Sequence, residues 1–190
     1  GSYPFVTSSN TTTAGVCTGL GIAPNRIGKV YGIFKAYCTR VGSGPFPTEL
    51  RNEIGEKLRQ NGHEFGSTTG RPRRCGWLDM PALNYAIMLN GVTDLVVTKI
   101  DVLNDFLEVK IAETYTVKGK KITEFPNINL SDIKLNLLSF NGWDQSLENV
   151  DSYEKLPSNV KKYLEFIEKN SQTKISIIST GPNRLETFFN

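Results

Sequence analysis

The sequence predicts an α/β fold: a mostly parallel sheet with flanking helices and an antiparallel hairpin. Segments of helical period are interleaved with short β-branched runs along the chain, the order that builds a sheet covered by helices. Leu95-Val96-Val97-Thr98 and Ile175-Ser176-Ile177-Ile178 are brief and apolar, as strands buried on both faces are. From 109 to 117 the apolar positions alternate, and Lys118-Gly119-Lys120 then leads into a second run at 122–125, a hairpin pattern.

Residues 1–24 are rich in Gly, Ser, Thr and Asn, yet Tyr3, Phe5, Val6, Val16, Leu20 and Ile22 make them too apolar for a free linker. An ordered loop held against a body is expected there. Pro24 suits a first helical turn, and Ile27, Val30, Tyr31, Phe34 and Cys38 come next at helical spacing, so a helix is predicted up to the polar loop at Gly42-Ser43-Gly44-Pro45. A second helix is expected from about Thr48, with Leu50, Ile54 and Leu58 on one face and Gly62 as its stop. The loop from 66 to 76 concentrates positive charge, and a third helix runs from about Asp79 to Asn90, closed by Gly91. Residues 126–155 read as polar and irregular, with Trp143 as an anchor. Val160, Tyr163, Leu164 and Ile167 mark a last amphipathic helix before the strand that runs into Ser179-Thr180-Gly181-Pro182.

The 190 residues are 38% apolar and 22% charged, which excludes a disordered tail, a collagen-like repeat or a coiled-coil rod. No apolar run approaches the roughly 20 residues that span a bilayer, and no stretch reads as a signal peptide. With 22 Lys and Arg against 19 Asp and Glu, the net charge of +3 is too weak to argue by itself for nucleic acid, which needs a clustered basic face. Cys17, Cys38 and Cys75 lack metal-ligand spacing and suit a reduced, cytoplasmic protein with idle thiols. The chain starts Gly1-Ser2-Tyr3-Pro4 without an initiator methionine, as a piece of a longer protein would, and Gly1-Ser2 equally fits a cloning scar.

Four segments carry chemistry. Thr98-Lys99-Ile100-Asp101 leaves a predicted strand, and a rigid carboxylate there can accept from both donors on the edge of guanine, which adenine does not offer. The Lys99 stem can lie over a base plane. The plain alternative is a solvated Lys–Asp pair at a strand end. Gly66-Ser67-Thr68-Thr69-Gly70-Arg71-Pro72-Arg73-Arg74 joins flexible backbone, hydroxyls and planar guanidinium forks, an anion cradle or else a loop whose arginines pair with surface acids. Ser179-Thr180-Gly181-Pro182 lies beyond the carboxyl end of a strand, where open α/β sheets collect ligands, although the Gly-Pro pair signals a turn in any case. The hydroxyl cluster around Thr7 reads as turn and cap chemistry before it reads as a ligand site. There is no Gly-x-x-x-x-Gly-Lys-[Ser/Thr] loop, no metal-spaced cluster, and no triad around the single histidine, His63, which reads as a surface or capping residue.

Together these segments resemble the adenylosuccinate synthetase family. The resemblance is carried by Tyr3-Pro4-Phe5-Val6-Thr7-Ser8-Ser9-Asn10-Thr11-Thr12, Lys35-Ala36-Tyr37, and Thr39-Arg40-Val41-Gly42-Ser43-Gly44-Pro45-Phe46-Pro47-Thr48-Glu49-Leu50. It continues in Glu64-Phe65-Gly66 through Arg74, Gly76-Trp77-Leu78-Asp79, Thr98-Lys99-Ile100-Asp101-Val102-Leu103 and Ile178-Ser179-Thr180-Gly181-Pro182, all in family order. Where the family has Asn-Thr-Thr-Ala-Gly-Gly, this chain has Asn10-Thr11-Thr12-Thr13-Ala14-Gly15. Family members are substantially longer. The resemblance implies that residues 1–190 are the C-terminal part of a larger P-loop-NTPase-like synthetase domain. The phosphate-binding loop, the catalytic aspartate and histidine, the Mg²⁺ site and an arginine that reaches the partner subunit's site all fall in an N-terminal part absent from this chain.

The implied reaction joins IMP and L-aspartate using GTP and Mg²⁺: GTP phosphorylates the purine 6-oxygen, and the aspartate amine then displaces phosphate. Carried over by resemblance, Thr7, Val41, Gly42 and Arg71 bind IMP. Ser67, Thr68, Thr69, Gly70, Arg71, Pro72 and Arg73 bind aspartate, and Arg73, Lys99, Ile100, Asp101, Ser179, Thr180 and Gly181 bind GTP. No catalytic or metal residue is expected in this chain, and alone it is expected to be inactive. A homodimer in the cytoplasm is implied, without membrane or nucleic-acid partners. Two alternatives stand beside this reading: a guanine-nucleotide-binding module without catalysis, and an anion or nucleic-acid binder through the arginine loop.

Overall fold

The computed structural model describes residues 2–125 and 132–190. Its central sheet runs β1 (Tyr31–Lys35), β5 (Asp94–Thr98), β9 (Ile175–Ser179) and β10 (Thr187–Phe189). The first three are parallel, and β10 turns back antiparallel along β9. The pairing of Lys35 with Thr98, and of Val97 with Ile178, brings the carboxyl ends of three strands to one edge. That alignment positions the site.

β1 corrects the first predicted helix. Only a 3₁₀ turn at Pro24–Arg26 is helical there, succeeded by β1 and β2 (Cys38–Arg40). The apolar spacing that mimics a helix is divided among a 3₁₀ turn, the residues after it and two strands, and in the edge strand β1 exposed Tyr31 and Ile33 alternate with half-buried Gly32 and Phe34. Gly32 lies close against Val92, and its lack of a side chain permits that approach.

β2 pairs antiparallel with β3 (Arg74–Gly76), setting Arg40 opposite Arg74. Between them α2 (Glu53–Asn61) starts later than predicted, because the Asn52 side chain caps it by accepting from the Gly55 N–H at 3.2 Å. After β4 (Leu78–Asp79), the helix α3 (Met80–Asn90) matches expectation, with Asp79 as its cap and Gly91 at φ 58° closing it. The segment expected to be a loop contains a short helix, α1 (Ala14–Leu20), docked where Thr13 donates to the Asn90 carbonyl at 2.8 Å.

The hairpin forms as β6 (Glu108–Val117) and β7 (Lys120–Ile122), with Lys118 and Gly119 both at positive φ, the geometry such two-residue turns require. The irregular reading of 126–155 fails at β8 (Ile133–Asn141), which pairs along most of β6; residues 126–131 lie outside the described residues. The β8 pattern is hard to read as a strand because the consecutive Leu137 and Leu138 are both exposed and break the alternation. Trp143 is an anchor as expected: it is buried, tilted against Tyr163, and donates to Asn104 Oδ1 at 3.0 Å. The last helix, α4 (Ser158–Ser171), buries Val160, Tyr163, Leu164 and Ile167. Tyr163 also donates to the Ala36 carbonyl at 2.6 Å and so ties this helix to the end of β1.

Candidate functional site

Parallel strands that end together set the segments leaving them side by side. Lys35 ends β1, the segment Lys99-Ile100-Asp101 leaves β5, and Ser179-Thr180-Gly181 leaves β9. The arginine loop reaches the same edge through Glu64, which stands just before it.

Glu64 is fully buried and gathers three cations and a hydroxyl around its two oxygens. Its Oε1 takes hydrogen bonds from Lys35 Nζ at 2.7 Å and the Tyr37 hydroxyl at 2.6 Å, with Lys99 Nζ at 3.6 Å. Its Oε2 accepts from the Arg73 guanidinium at 2.8 Å. Burial opposes the charge on Glu64, but the hydrogen bonds from Lys35, Tyr37 and Arg73 outweigh it and hold the carboxyl at about 2. Burial, and then the Glu64 hydrogen bond, raise the Tyr37 hydroxyl far above the usual phenol range. Glu64 thus remains an anion and Tyr37 a donor.

The loop itself is closed by its own backbone. Gly66 N–H donates to the Arg71 carbonyl at 2.9 Å, Gly70 N–H returns to the Gly66 carbonyl at 2.8 Å, and Phe65 bridges Pro72. Gly70 adopts φ 64°, which glycine takes without strain. Ser67, Thr68, Thr69, Gly70, Arg71 and Pro72 are exposed, with Thr69 Oγ1 accepting from the Arg71 N–H at 3.3 Å.

The three arginines have separate fates. Among the described residues the Arg71 guanidinium has no partner. Arg73 commits one N–H to Glu64, while its backbone is gripped at N–H by the Glu64 carbonyl and at C=O by Arg59 Nε, each at 2.9 Å. Arg74 is consumed: it forks onto Glu49 at 2.8 and 2.7 Å and donates to the Gly42 and Gly44 carbonyls. Hydrogen bonding from Arg74 is the main reason the Glu49 carboxyl is held at about 2.

Lys99 adopts φ 59° and donates to the Gly62 carbonyl at 2.6 Å. Asp101 opens a 3₁₀ turn (Asp101–Leu103) and is half-buried; burial, only partly offset by nearby backbone N–H groups and Lys99, moves its carboxyl upward. Asp101 also lines a polar cavity of about 450 Å³ with Asn61, Asn104 and Asp144. Ile100 is fully buried and offers only backbone. Ser179 donates to the Gly181 carbonyl at 3.0 Å, while Thr180 points inward to the Glu186 and Val150 carbonyls, so its hydroxyl serves the turn.

Thr7 is exposed, with Oγ1 accepting from the Ser9 N–H. Arg40 brings its segment to the turn that carries Val41 and Gly42, donating to the Phe5 carbonyl at 2.9 Å and to the Ser43 carbonyl at 3.1 Å. His63 is exposed, in keeping with a surface role. Burial pushes the Cys38 thiol up to about 12 and that of Cys75 up to about 11, and all three cysteines are unpaired.

Sequence reasoning missed the node at the centre of this arrangement. Lys35, Tyr37 and Glu64 sat inside the blocks that carried the family resemblance without being given roles. The signal available was a Glu directly ahead of an arginine loop; Lys35 falls in the predicted helix, and the 29-residue separation hid the pairing.

The adenylosuccinate synthetase family pattern matches residues 1–188. An adenylosuccinate synthetase of Flavobacterium johnsoniae is 56% identical over 188 residues, covering 98% of this chain and 44% of that protein. One from Christiangramia forsetii is 53% identical with the same coverage. The solved structure of a fully ligated adenylosuccinate synthetase from Plasmodium falciparum superposes with a TM-score of 0.96 at 40% identity, covering the whole chain and 46% of that structure. A cyanophage S-2L succinoaminodeoxyadenylate synthetase shares the fold at a TM-score of 0.57 and 19% identity. The chain spans less than half the length of the curated relatives it matches.

Proposed function

The chain belongs to the adenylosuccinate synthetase family, and from that premise we propose that it is the substrate-recognition part of a GTP-dependent ligase that joins IMP to L-aspartate. The observation that carries this reading is the Glu64 node, which fastens the arginine loop and the guanine motif to the same sheet edge. In the reaction the purine 6-oxygen takes the γ-phosphoryl group of GTP, leaving GDP. The aspartate amine then attacks the purine carbon, and the carbon–oxygen bond breaks with phosphate as the leaving group.

This chain's residues bind and orient. Arg71 has its whole guanidinium available for a carboxylate, and Arg73 keeps the donors that Glu64 does not use. Exposed Ser67 and Thr68 add hydroxyls to the same loop. The Asp101 carboxylate accepts from the guanine edge, and Lys99, pinned at its tip, presents a fixed stem. Ser179, Thr180 and Gly181 bound the base from the neighbouring strand end, Thr180 through its backbone. Thr7, Val41 and Gly42, drawn together by Arg40, hold IMP with Arg71. Fixed donors around developing negative charge need no reorganisation during reaction, which is how such a site lowers a barrier.

Among the described residues no set of three or more His, Cys, Asp or Glu side chains stands together as a metal site. It is the family resemblance that assigns the magnesium ligands to the N-terminal part of the longer protein. No helix of the described residues is long and apolar enough to cross a membrane. A cytoplasmic homodimer completes the reading.

The test is calorimetric titration with GDP and, separately, ADP, together with an assay of the longer protein containing this segment. Guanine-selective binding and adenylosuccinate formation from IMP, aspartate and GTP are expected. Equal affinity for the two nucleotides would remove the guanine assignment. A longer protein that binds all three substrates yet makes no product would remove the ligase.

A further inference from the structure

Two binding segments far apart in sequence share one buried carboxylate, and a buried ionic group is poor evidence for stability alone. Apolar side chains of similar size would fill that space without the desolvation penalty. We propose that Glu64 is the positioning residue of the site, a single anion that sets the Arg73 guanidinium and the Lys99 ammonium in register and thereby couples aspartate recognition to guanine recognition. This rests on the function proposed above.

The geometry gives the carboxylate little freedom. One oxygen is committed to Arg73 at 2.8 Å. The other holds Lys35 at 2.7 Å and Tyr37 at 2.6 Å, and stands 3.6 Å from Lys99. Tyr37 is buried, and its hydroxyl packs so closely on Gly62 that a Cβ there would overlap it. Gly62 in turn supplies the carbonyl to which Lys99 donates. The 62–64 turn is therefore the common wall of both motifs, clamped from the core by Tyr37.

The charge balance fits a positioning role as well. One anion faces three cations whose side chains keep 26% (Lys35), 32% (Arg73) and 38% (Lys99) of their exposure. Glu64 prevents their mutual repulsion from spreading them, yet leaves an excess of positive charge for anionic substrates. Neutralised, it would loosen Arg73 and Lys99 together, because both lose the same counterion and Lys99 keeps only its bond to the Gly62 carbonyl. A residue that merely filled the core would have no reason to affect two substrates as a pair.

The experiment uses the longer protein that contains this segment, with Glu64→Gln. Expected are rises of about tenfold in KM for aspartate and for GTP, with KM for IMP within twofold of the parent. Unchanged KM values with only a lower melting temperature would overturn the proposal, as would equal shifts for all three substrates or a shift for one of the pair alone. If Glu64→Gln does not fold, Tyr37→Phe keeps the charge and removes one of its restraints. It should give a smaller shift of the same paired kind, and unchanged KM values would overturn the proposal. A parent that forms no adenylosuccinate would defeat the ligase reading by itself. The positioning role would still be read by calorimetry, where GDP affinity should fall about fivefold in Glu64→Gln, and an unchanged affinity would overturn it.

Discussion

Lys99, held at φ 59°, donates from its ammonium to the Gly62 carbonyl oxygen at 2.6 Å. A non-glycine residue in the left-handed region costs of order 1 kcal/mol and persists where the surroundings enforce it. Here the enforcement comes from both ends: β5 fixes the backbone, and the 62–64 turn captures the side chain. Asp101, two residues on, inherits its placement from this arrangement.

Asp101→Asn should weaken GDP by about 2 kcal/mol, because one acceptor oxygen becomes a donor facing guanine's own donors. ADP binding, which the proposed selectivity makes poor, should change little. Calorimetry with both nucleotides reads the difference, and unaltered GDP affinity would remove Asp101 from the site.

Arg71→Ala and Arg74→Ala should separate recognition from stability. The Arg71 side chain has no partner among the described residues, so its loss should change stability by less than about 0.5 kcal/mol while raising KM for aspartate. Arg74 is forked onto Glu49, only 13% exposed, and its removal leaves that carboxylate with the exposed Arg51 as its one remaining cation, at a cost of about 2 kcal/mol. Thermal melts of the two variants should therefore diverge.

Gly142→Ala should destabilise by about 3 kcal/mol, since a Cβ there would overlap the backbone carbonyl of Phe106, which cannot swing aside as a side chain can. Asn159 donates to the Gly142 carbonyl at 2.8 Å and leaves that segment little room to shift. A melting temperature equal to the parent's would show that the strand end yields.

Acid should erode stability through two carboxylates. Glu64 and Glu49 both lie at about 2, against an ordinary 4.5. A depressed folded-state value means the unfolded chain binds protons first as pH falls. Their contribution is thus complete above about pH 4.5 and is lost progressively down to about 2. Denaturant melts across that window should lose a few kcal/mol, and Glu64→Gln should flatten the slope. An unchanged slope would place the acid sensitivity elsewhere.

Local chemistry made several elements legible. Asp79 and Gly91 bracket α3 with a cap and a left-handed stop. Lys118-Gly119 turns the hairpin, and the apolar run before Lys99 is a buried strand. Each is settled by residues within a few positions of one another. The spacing of Ile27, Val30, Tyr31 and Phe34 satisfied a helix, and pairing with β5, some 60 residues away, decided for a strand over Tyr31–Lys35. β8 was hidden for a similar reason: its partner β6, not its own pattern, makes it a strand.

By itself the sequence determined the family, the α/β class, the Thr98-Lys99-Ile100-Asp101 motif and the arginine loop, because these depend on residue type at short spacing. Only the tertiary structure decided which arginine is free, which is braced and which is spent. Arg71, Arg73 and Arg74 are near neighbours with the same chemistry, and what separates them is the acid each one meets: none for Arg71 among the described residues, buried Glu64 for Arg73, Glu49 for Arg74. Those acids come from other parts of the chain, and their positions are set by packing, which no local pattern encodes.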